Sequence, residues 1–287
     1  MIMISRQSFY AWFLTTRPWN VLAMGLVVVV TRHWLGLPLE SLGSLGAFGW
    51  IAVPMLVGAG GNLINDYFDI REDRINKPSK ARVGRTVKRR VVLVSHWGLN
   101  FVALLWSGWL SADVGHSWPL VLMGANTLAL YFYSPKLKSR GAWGNLTVSA
   151  SVASLLVWSA LPLFHGELSI WEIPSGFWSL TALIGTLNMF REWVKDIQDL
   201  QGDRVAGHLT LAAKMSATQI RWTKPAVACL VAFAGGCWVY STDGIGLHLG
   251  LWAVLSAGVI RESIIPQKQN LSAWLKASMA ALICFLI

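Results

Sequence analysis

The chain reads as an all-α, polytopic membrane protein: about nine transmembrane helices in one bundle, with a polar cavity on the cytoplasmic side. Three observations predict this architecture. Of 287 residues, 54% are hydrophobic and only 13% are charged, whereas soluble domains carry about 25% charged residues. Apolar stretches follow one another almost continuously, and about 20 mostly apolar residues suffice for a helix to cross a bilayer. The charges that do occur collect in the connections between those stretches.

In chain order the pattern predicts helices over 12–35, 46–70, 91–110, 117–134, 145–163, 176–198, 225–241, 246–262 and 271–287. Helices are expected because a backbone inside lipid must satisfy its own hydrogen bonds. No soluble domain or low-complexity linker interrupts the series, so residues 1–287 form one domain. The connections alternate in charge. Arg6 and Arg17 precede or open the first helix. A dense basic run (Arg71, Arg74, Lys77, Lys80, Arg82, Arg85, Lys88, Arg89, Arg90) follows the second, and Lys136, Lys138 and Arg140 follow the fourth. Arg191, Lys195, Arg204, Lys214, Arg221 and Lys224 surround the connection after the sixth, and Arg261 and Lys268 flank that after the eighth. The intervening connections hold Arg32, Glu40, Asp113, His116, Glu167 and Asp243. Basic loops stay cytoplasmic. This predicts a multi-pass protein of the cell (inner) membrane, with its N-terminus inside and its C-terminus on the opposite side.

The remaining composition fits. Trp19, Trp34, Trp118, Trp143, Trp171 and Trp193, among seventeen tryptophans, fall near predicted helix ends, where indoles anchor at the headgroup boundary. Cys229, Cys237 and Cys284 lie in apolar stretches without CxxC spacing and read as small buried hydrophobes. The net charge of +10 lies between apolar segments rather than on a polar basic face, so nucleic acid is not the expected partner; membrane lipids are. No compact signal peptide opens the chain, which reads as mature throughout.

Two segments carry chemistry: GNLINDYFDIREDRINKP at 61–78 and REWVKDIQDLQGDRVAG at 191–207. Asp66, Asp69 and Asp73 have i, i+3, i+7 spacing, as do Asp196, Asp199 and Asp203. At 3.6 residues per turn each trio occupies an arc of about 60° on one helix face. Asn62 and Glu192 extend the two faces by four residues, and each polar position recurs after 130 residues. Carboxylates so crowded repel unless a cation neutralises them. Hard oxygen ligands suit magnesium, which joins carboxylates to substrate phosphates. Zinc would favour clustered histidine or cysteine. Lys77, Lys80, Lys136, Lys138, Arg191 and Lys195 stand ready to neutralise phosphate oxygens. Other pairings are open to single members: Asp73 with Arg74, Asp203 with Arg204, and Glu192 with Arg191 or Lys195.

These segments resemble the signature regions of the UbiA superfamily of intramembrane prenyltransferases. Asn65, Asp66, Asp69 and Asp73 match its first motif; Asp196, Asp199, Gly202 and Asp203 match its second. TTRPWN, with Arg17, Pro18 and Asn20, resembles the family's first helix start. YFYSPKLKSR, around Tyr133, Lys136 and Lys138, resembles its tyrosine–lysine stretch. The second motif is most similar to the digeranylgeranylglyceryl phosphate synthase-like branch. The chain departs from the family at KPSKARVGRTV, where Lys80 is nearest to an expected arginine and lacks its bidentate fork.

The resemblance implies that Asn65, Asp69, Asp73, Asp199 and Asp203, helped by Asp66 and Asp196, bind two magnesium ions. With Arg17, Tyr133 and the nearby cations, these would hold an allylic isoprenyl diphosphate while its carbon–oxygen bond breaks. Phe68 and Tyr133 are candidate cation-stabilising rings. The expected acceptor is a glyceryl phosphate lipid. An aromatic quinone precursor, intramembrane terpene cyclisation and cation-coupled transport are the competing readings.

Overall fold

The computed structural model describes residues 6–39, 43–164, 173–241, 246–264 and 270–286. Glu40, Glu167, Trp171, Asp243 and Lys268 lie outside them. Among the described residues the chain is helical, with two isolated bridges and no strand. The helices are α1 (Arg6–Thr15), α2 (Pro18–Trp34), α3 (Gly43–Phe68), α4 (Ile70–Asn76), α5 (Arg89–Asp113) and α6 (Trp118–Phe132). They continue with α7 (Ala142–Ala160), α8 (Ser175–Gln198), α9 (Leu200–Ala206), α10 (Ala217–Ser241), α11 (Leu247–Ile264) and α12 (Leu271–Cys284).

Among the described residues five helices are long and apolar enough to cross a membrane: α3, α5, α7 with its short extension to Phe164, α10 and α11. The bent pair α1–α2 makes a sixth. The first predicted helix is therefore broken. Pro18 disfavours the right-handed α region for the residue before it, which ends α1, and Arg17 adopts a left-handed conformation there, φ 57° and ψ 62°. The two arms meet at 46°. The helix expected at 225–241 begins earlier, at Ala217, and carries Pro225 inside it.

The core falls into two main parts. One joins α2, α3, α5, α6 and α7 around Trp50, Val53, Val57, Leu110 and Trp158. The other joins α7, α8, α10, α11 and α12 around Leu180, Leu187, Trp238, Trp252 and Leu275. Glycines set the closest approaches: Gly60 of α3 abuts the Asn100 amide, and Gly235 of α10 abuts the Trp252 indole, so a methyl at either position would collide. The outer faces of α5, α6 and α10 expose Phe101, Leu105, Leu128, Leu230 and Phe233. Those faces need lipid.

Several sequence expectations change. Arg32 lies in the last turn of α2 rather than in a loop, 2% exposed, its guanidinium 5.0 Å over the Trp50 ring. Trp19, Trp118 and Trp143 are exposed, but Trp193 is buried in the core. Cys229, Cys237 and Cys284 are exposed on helix surfaces, since the outward faces of these helices are as apolar as the inward ones.

Candidate active site

Helices α4 and α9 are the short continuations of α3 and α8, and they pack against each other. Each begins at an aspartate. Asp69 caps α4; Asp199 ends α8 and caps α9. Neither trio therefore rides on one unbroken helix as its spacing predicts. The i→i−4 bonds nevertheless persist across the joints: Asp69 N–H to Asn65 C=O at 2.9 Å, Asp73 to Asp69 at 2.9 Å, Asp199 to Lys195 at 2.8 Å and Asp203 to Asp199 at 3.1 Å. The chain bends without losing the shared face, and the two acidic faces line one cavity of about 530 Å³.

Asn76 fastens the two motifs together. Its amide donates to Asp199 C=O at 3.0 Å, and its oxygen accepts from Gly202 N–H at 3.0 Å. A Cβ at Gly202 would strike that amide, which explains the glycine before the last acid. Glu72 of α4 also pairs with His208 beyond α9. Asn76, Glu72 and His208 were invisible to spacing arguments, because each acts by reaching the other motif.

Lys138 arrives by a different device. After α6 the chain makes a π-turn, Tyr133–Leu137, and π-bulges are rare and frequent at functional sites. The turn leaves Lys138 Nζ 2.9 Å from Asp69 and 3.6 Å from Asp203. Ser134 within it donates to Asn65 at 3.0 Å, and Asn65 donates to Asp69 at 3.1 Å. Burial opposes the charge on Lys138, but Asp69 and Asp203 overcome it and raise its pKa. Lys136 turns the other way. It is exposed, its ammonium 4.6 Å over the Phe132 ring, and it does not line the cavity. The phosphate role expected of Lys136 is corrected on that geometry.

Of the other expected residues, Arg17, Asn65, Asp66, Asp73, Lys77, Lys80, Tyr133, Arg191, Lys195 and Asp196 all line the cavity. Arg17 donates to Asp66 at 2.8 Å and Lys77 to Asp199 at 2.6 Å. Glu192 takes both Arg191 and Lys195, while Asn145 donates to Asp196 at 3.0 Å. Asn62 also lines the cavity and bonds the Thr16 carbonyl. Phe68 does not line it; it lies in a separate depression with Tyr67 and Arg71. Burial first, then the surrounding carboxylates, raises the Tyr133 pKa well above its ordinary value, so the phenol stays a neutral donor.

Several acid oxygens in the cavity lack a hydrogen bond. Among the described residues, Asp69 Oδ1 and both Asp203 carboxylate oxygens are buried without a hydrogen-bond partner. Such atoms are costly unless an ion satisfies them. Oxygen-only donors aimed into one cavity fit magnesium.

Asp73 shows the same crowding. Burial, followed by Asp66 and Asp69, raises its pKa from 3.8 to about 6. Between those values the folded state holds more protons than the unfolded state, so this group's contribution to stability falls as pH rises through the window. The penalty is complete at pH 7. Asp73→Asn is expected to stabilise the metal-free protein at pH 7 by about 1 kcal/mol after allowance for partial exposure. The gain should vanish below about pH 4, which thermal unfolding in chelator at both pH values would measure.

Deeper in, the cavity wall is mainly apolar, interrupted by Asn126, Ser151, Ser154 and Asn188. Along α3 it runs from Asp66 to Pro54, about 18 Å at 1.5 Å per residue, with Val57, Met123, Val152 and Leu155 in its walls. A charged mouth thus opens onto a lipophilic tunnel.

Comparison with known proteins agrees with this arrangement. The UbiA prenyltransferase family model matches residues 19–283. A digeranylgeranylglyceryl phosphate synthase of Sulfurisphaera tokodaii is 31% identical over 71% of this chain and 69% of its own. The synthase of the same description from Methanoregula boonei is 32% identical over 77% of this chain and 71% of its own. The solved structure of a UbiA homolog from Archaeoglobus fulgidus bound to GPP and Mg2+ shares the fold, with a TM-score of 0.59 at 12% identity over 96% of this chain and 98% of that one. An acid-lined mouth over an apolar tunnel, together with a family match running nearly end to end, places this chain in the UbiA prenyltransferase family.

Proposed function

We propose that the protein transfers a prenyl group from an allylic isoprenyl diphosphate to the hydroxyl of a glyceryl phosphate lipid, with magnesium as cofactor. The observation that carries this reading is the set of unpartnered buried oxygens on Asp69 and Asp203, brought together from two helices at the head of an apolar tunnel. The names of the similar synthases support the glyceryl phosphate acceptor. The GPP and Mg2+ of the structural neighbour support the donor and the cofactor.

In this reading Asn65, Asp69, Asp73, Asp199 and Asp203 hold two magnesium ions, with Asp66 and Asp196 beside them. Bound magnesium supplies the positive charge that a departing diphosphate requires. Lys77 and Lys138, paired with Asp199 and Asp69 in the free protein, would offer their ammonium groups to the phosphate oxygens of a bound donor. Lys80 lies at the same mouth, and the neutral Tyr133 offers a hydrogen bond. The allylic carbon–oxygen bond breaks with its electron pair leaving on diphosphate. The acceptor oxygen then bonds to the carbon and passes its proton to the diphosphate that has left. Val57, Met123, Val152 and Leu155 keep water from the tail, so the allylic cation meets the acceptor first. Nine membrane crossings, with α4, α9 and the basic connections in the cytoplasm, complete the proposed arrangement.

The test is incubation of purified protein with magnesium and labelled prenyl diphosphates against phosphorylated glycerol ethers and aromatic acids. A prenylated glyceryl phosphate with equimolar diphosphate is the expected result. An aromatic product only, or a hydrocarbon without acceptor, would replace this reading by ring prenylation or cyclisation.

A further inference from the structure

The last helix, α12, is apolar along LSAWLKASMAALIC except for one lysine. Lys276 lines the cavity, where α12 packs against α8 and α2. An ionisable residue within such a helix is costly and marks a functional position by default. Its electrostatic neighbours are mainly cations: Arg191, Lys195 and Arg17, with Glu192 the acid among them. Arg191 and Lys195 both pair with Glu192, and Arg17 pairs with Asp66. Lys276 has no ion pair among the described residues.

Four cations thus face the cavity from the start of α2, from α8 and from α12; Asp66 and Glu192 hold three of them in ion pairs, and Lys276 is left without one among the described residues. The motif bank is richer in acid, with five further aspartates and Glu72 against Lys77, Lys80, Arg82 and Lys138. The two banks suit different ligands. The acidic bank requires metal before any anion can approach it. The basic bank accepts an anion directly. A phosphate monoester carries about −1.5 to −2 at neutral pH, which suits a cluster of cations with one member unpaired.

We infer that Lys276, with Arg191 and Lys195, is the specificity-determining anchor for the phosphate of the acceptor, a subsite separate from the diphosphate's. This rests on the proposed glyceryl phosphate reading and reassigns Arg191, Lys195 and Arg17 from the donor to the acceptor. The acceptor's headgroup is held on α8 and α12 while its hydroxyl reaches the donor carbon between the banks. Transfer to phosphorylated acceptors follows from that charge balance.

The experiment compares wild-type protein with Lys276→Ala and Lys276→Arg in three arms. Steady-state kinetics with geranylgeranylglyceryl phosphate should show the acceptor KM raised about tenfold or more in Lys276→Ala, with Lys276→Arg close to wild type. The KM for prenyl diphosphate should stay within about twofold. A donor KM raised as much as the acceptor KM, or an unchanged acceptor KM, overturns the inference while leaving the proposed function standing. The third arm needs no turnover: geranylgeranylglyceryl phosphate without donor should raise the melting temperature of wild type and not of Lys276→Ala, whereas the dephosphorylated alcohol should act equally on both. Equal shifts by the phosphorylated lipid refute the subsite. A wild-type shift lost in Lys276→Ala, without transfer to that lipid, sinks only the proposed function and keeps the subsite. No wild-type shift and no transfer sinks both.

Discussion

Replacing Asp69 or Asp199 by asparagine is expected to lower turnover by about 10³-fold or more, at least the loss typical of one electrostatic contact in a transition state. Each exchange keeps the shape of the side chain and removes one negative charge from the proposed magnesium cage. Folding should survive. Asp69 keeps an acceptor oxygen for Asn65 and Lys138, and Asp199 keeps its backbone bonds to Lys195 and Asp203. Thermal unfolding in chelator should show both variants folded, with some loss of stability in Asp69→Asn, where Lys138 keeps Asp203 as its remaining ion-pair partner, and a smaller loss in Asp199→Asn at the more exposed Lys77 pair. Near-normal rates in both variants would remove these carboxylates from the site. Loss of activity with loss of folding in chelator would assign them to structure instead.

Lys138→Met should have the larger effect on stability. Lys138 is the cation between Asp69 and Asp203, and the three side chains are 12%, 9% and 2% exposed. Removing one partner of a buried ion pair typically costs about 3–5 kcal/mol, because the remaining charge is left uncompensated. The melting temperature in chelator should therefore fall by many degrees. Magnesium should restore much of it, since the ion replaces the missing positive charge, and stabilisation grows with ligand concentration over Kd. Turnover should stay low even with saturating magnesium, because the ammonium is also the group offered to the leaving diphosphate. An unchanged melting temperature in chelator would mean that the Lys138 contacts carry no stability. Restored turnover in magnesium would mean that Lys138 serves the fold only.

The carboxylates were readable because helical periodicity is local. Asp66, Asp69 and Asp73 must share a face wherever the chain is near-helical, and the bends at Asp69 and Asp199 are too slight to undo it. Lys136 and Lys138 show where that reasoning stops. They stand two residues apart in one basic run, and only the π-turn decides that Lys138 enters the cavity while Lys136 lies over Phe132. Asn76 was equally hidden. Nothing nearby in sequence marks it, and its partners are 123 and 126 residues away.

From residue order alone came the helical class, the apolar segments, the two acidic faces and their suitability for magnesium, all properties of neighbours within a few turns. The three-dimensional packing alone decided that the faces meet, that Asn76 ties one motif to the other and that Lys276 of the final helix enters the same cavity. The physical reason is range. Backbone hydrogen bonding and side-chain periodicity act over a few residues, whereas a charge separated by a hundred residues or more is placed only when buried surfaces bring its helix home.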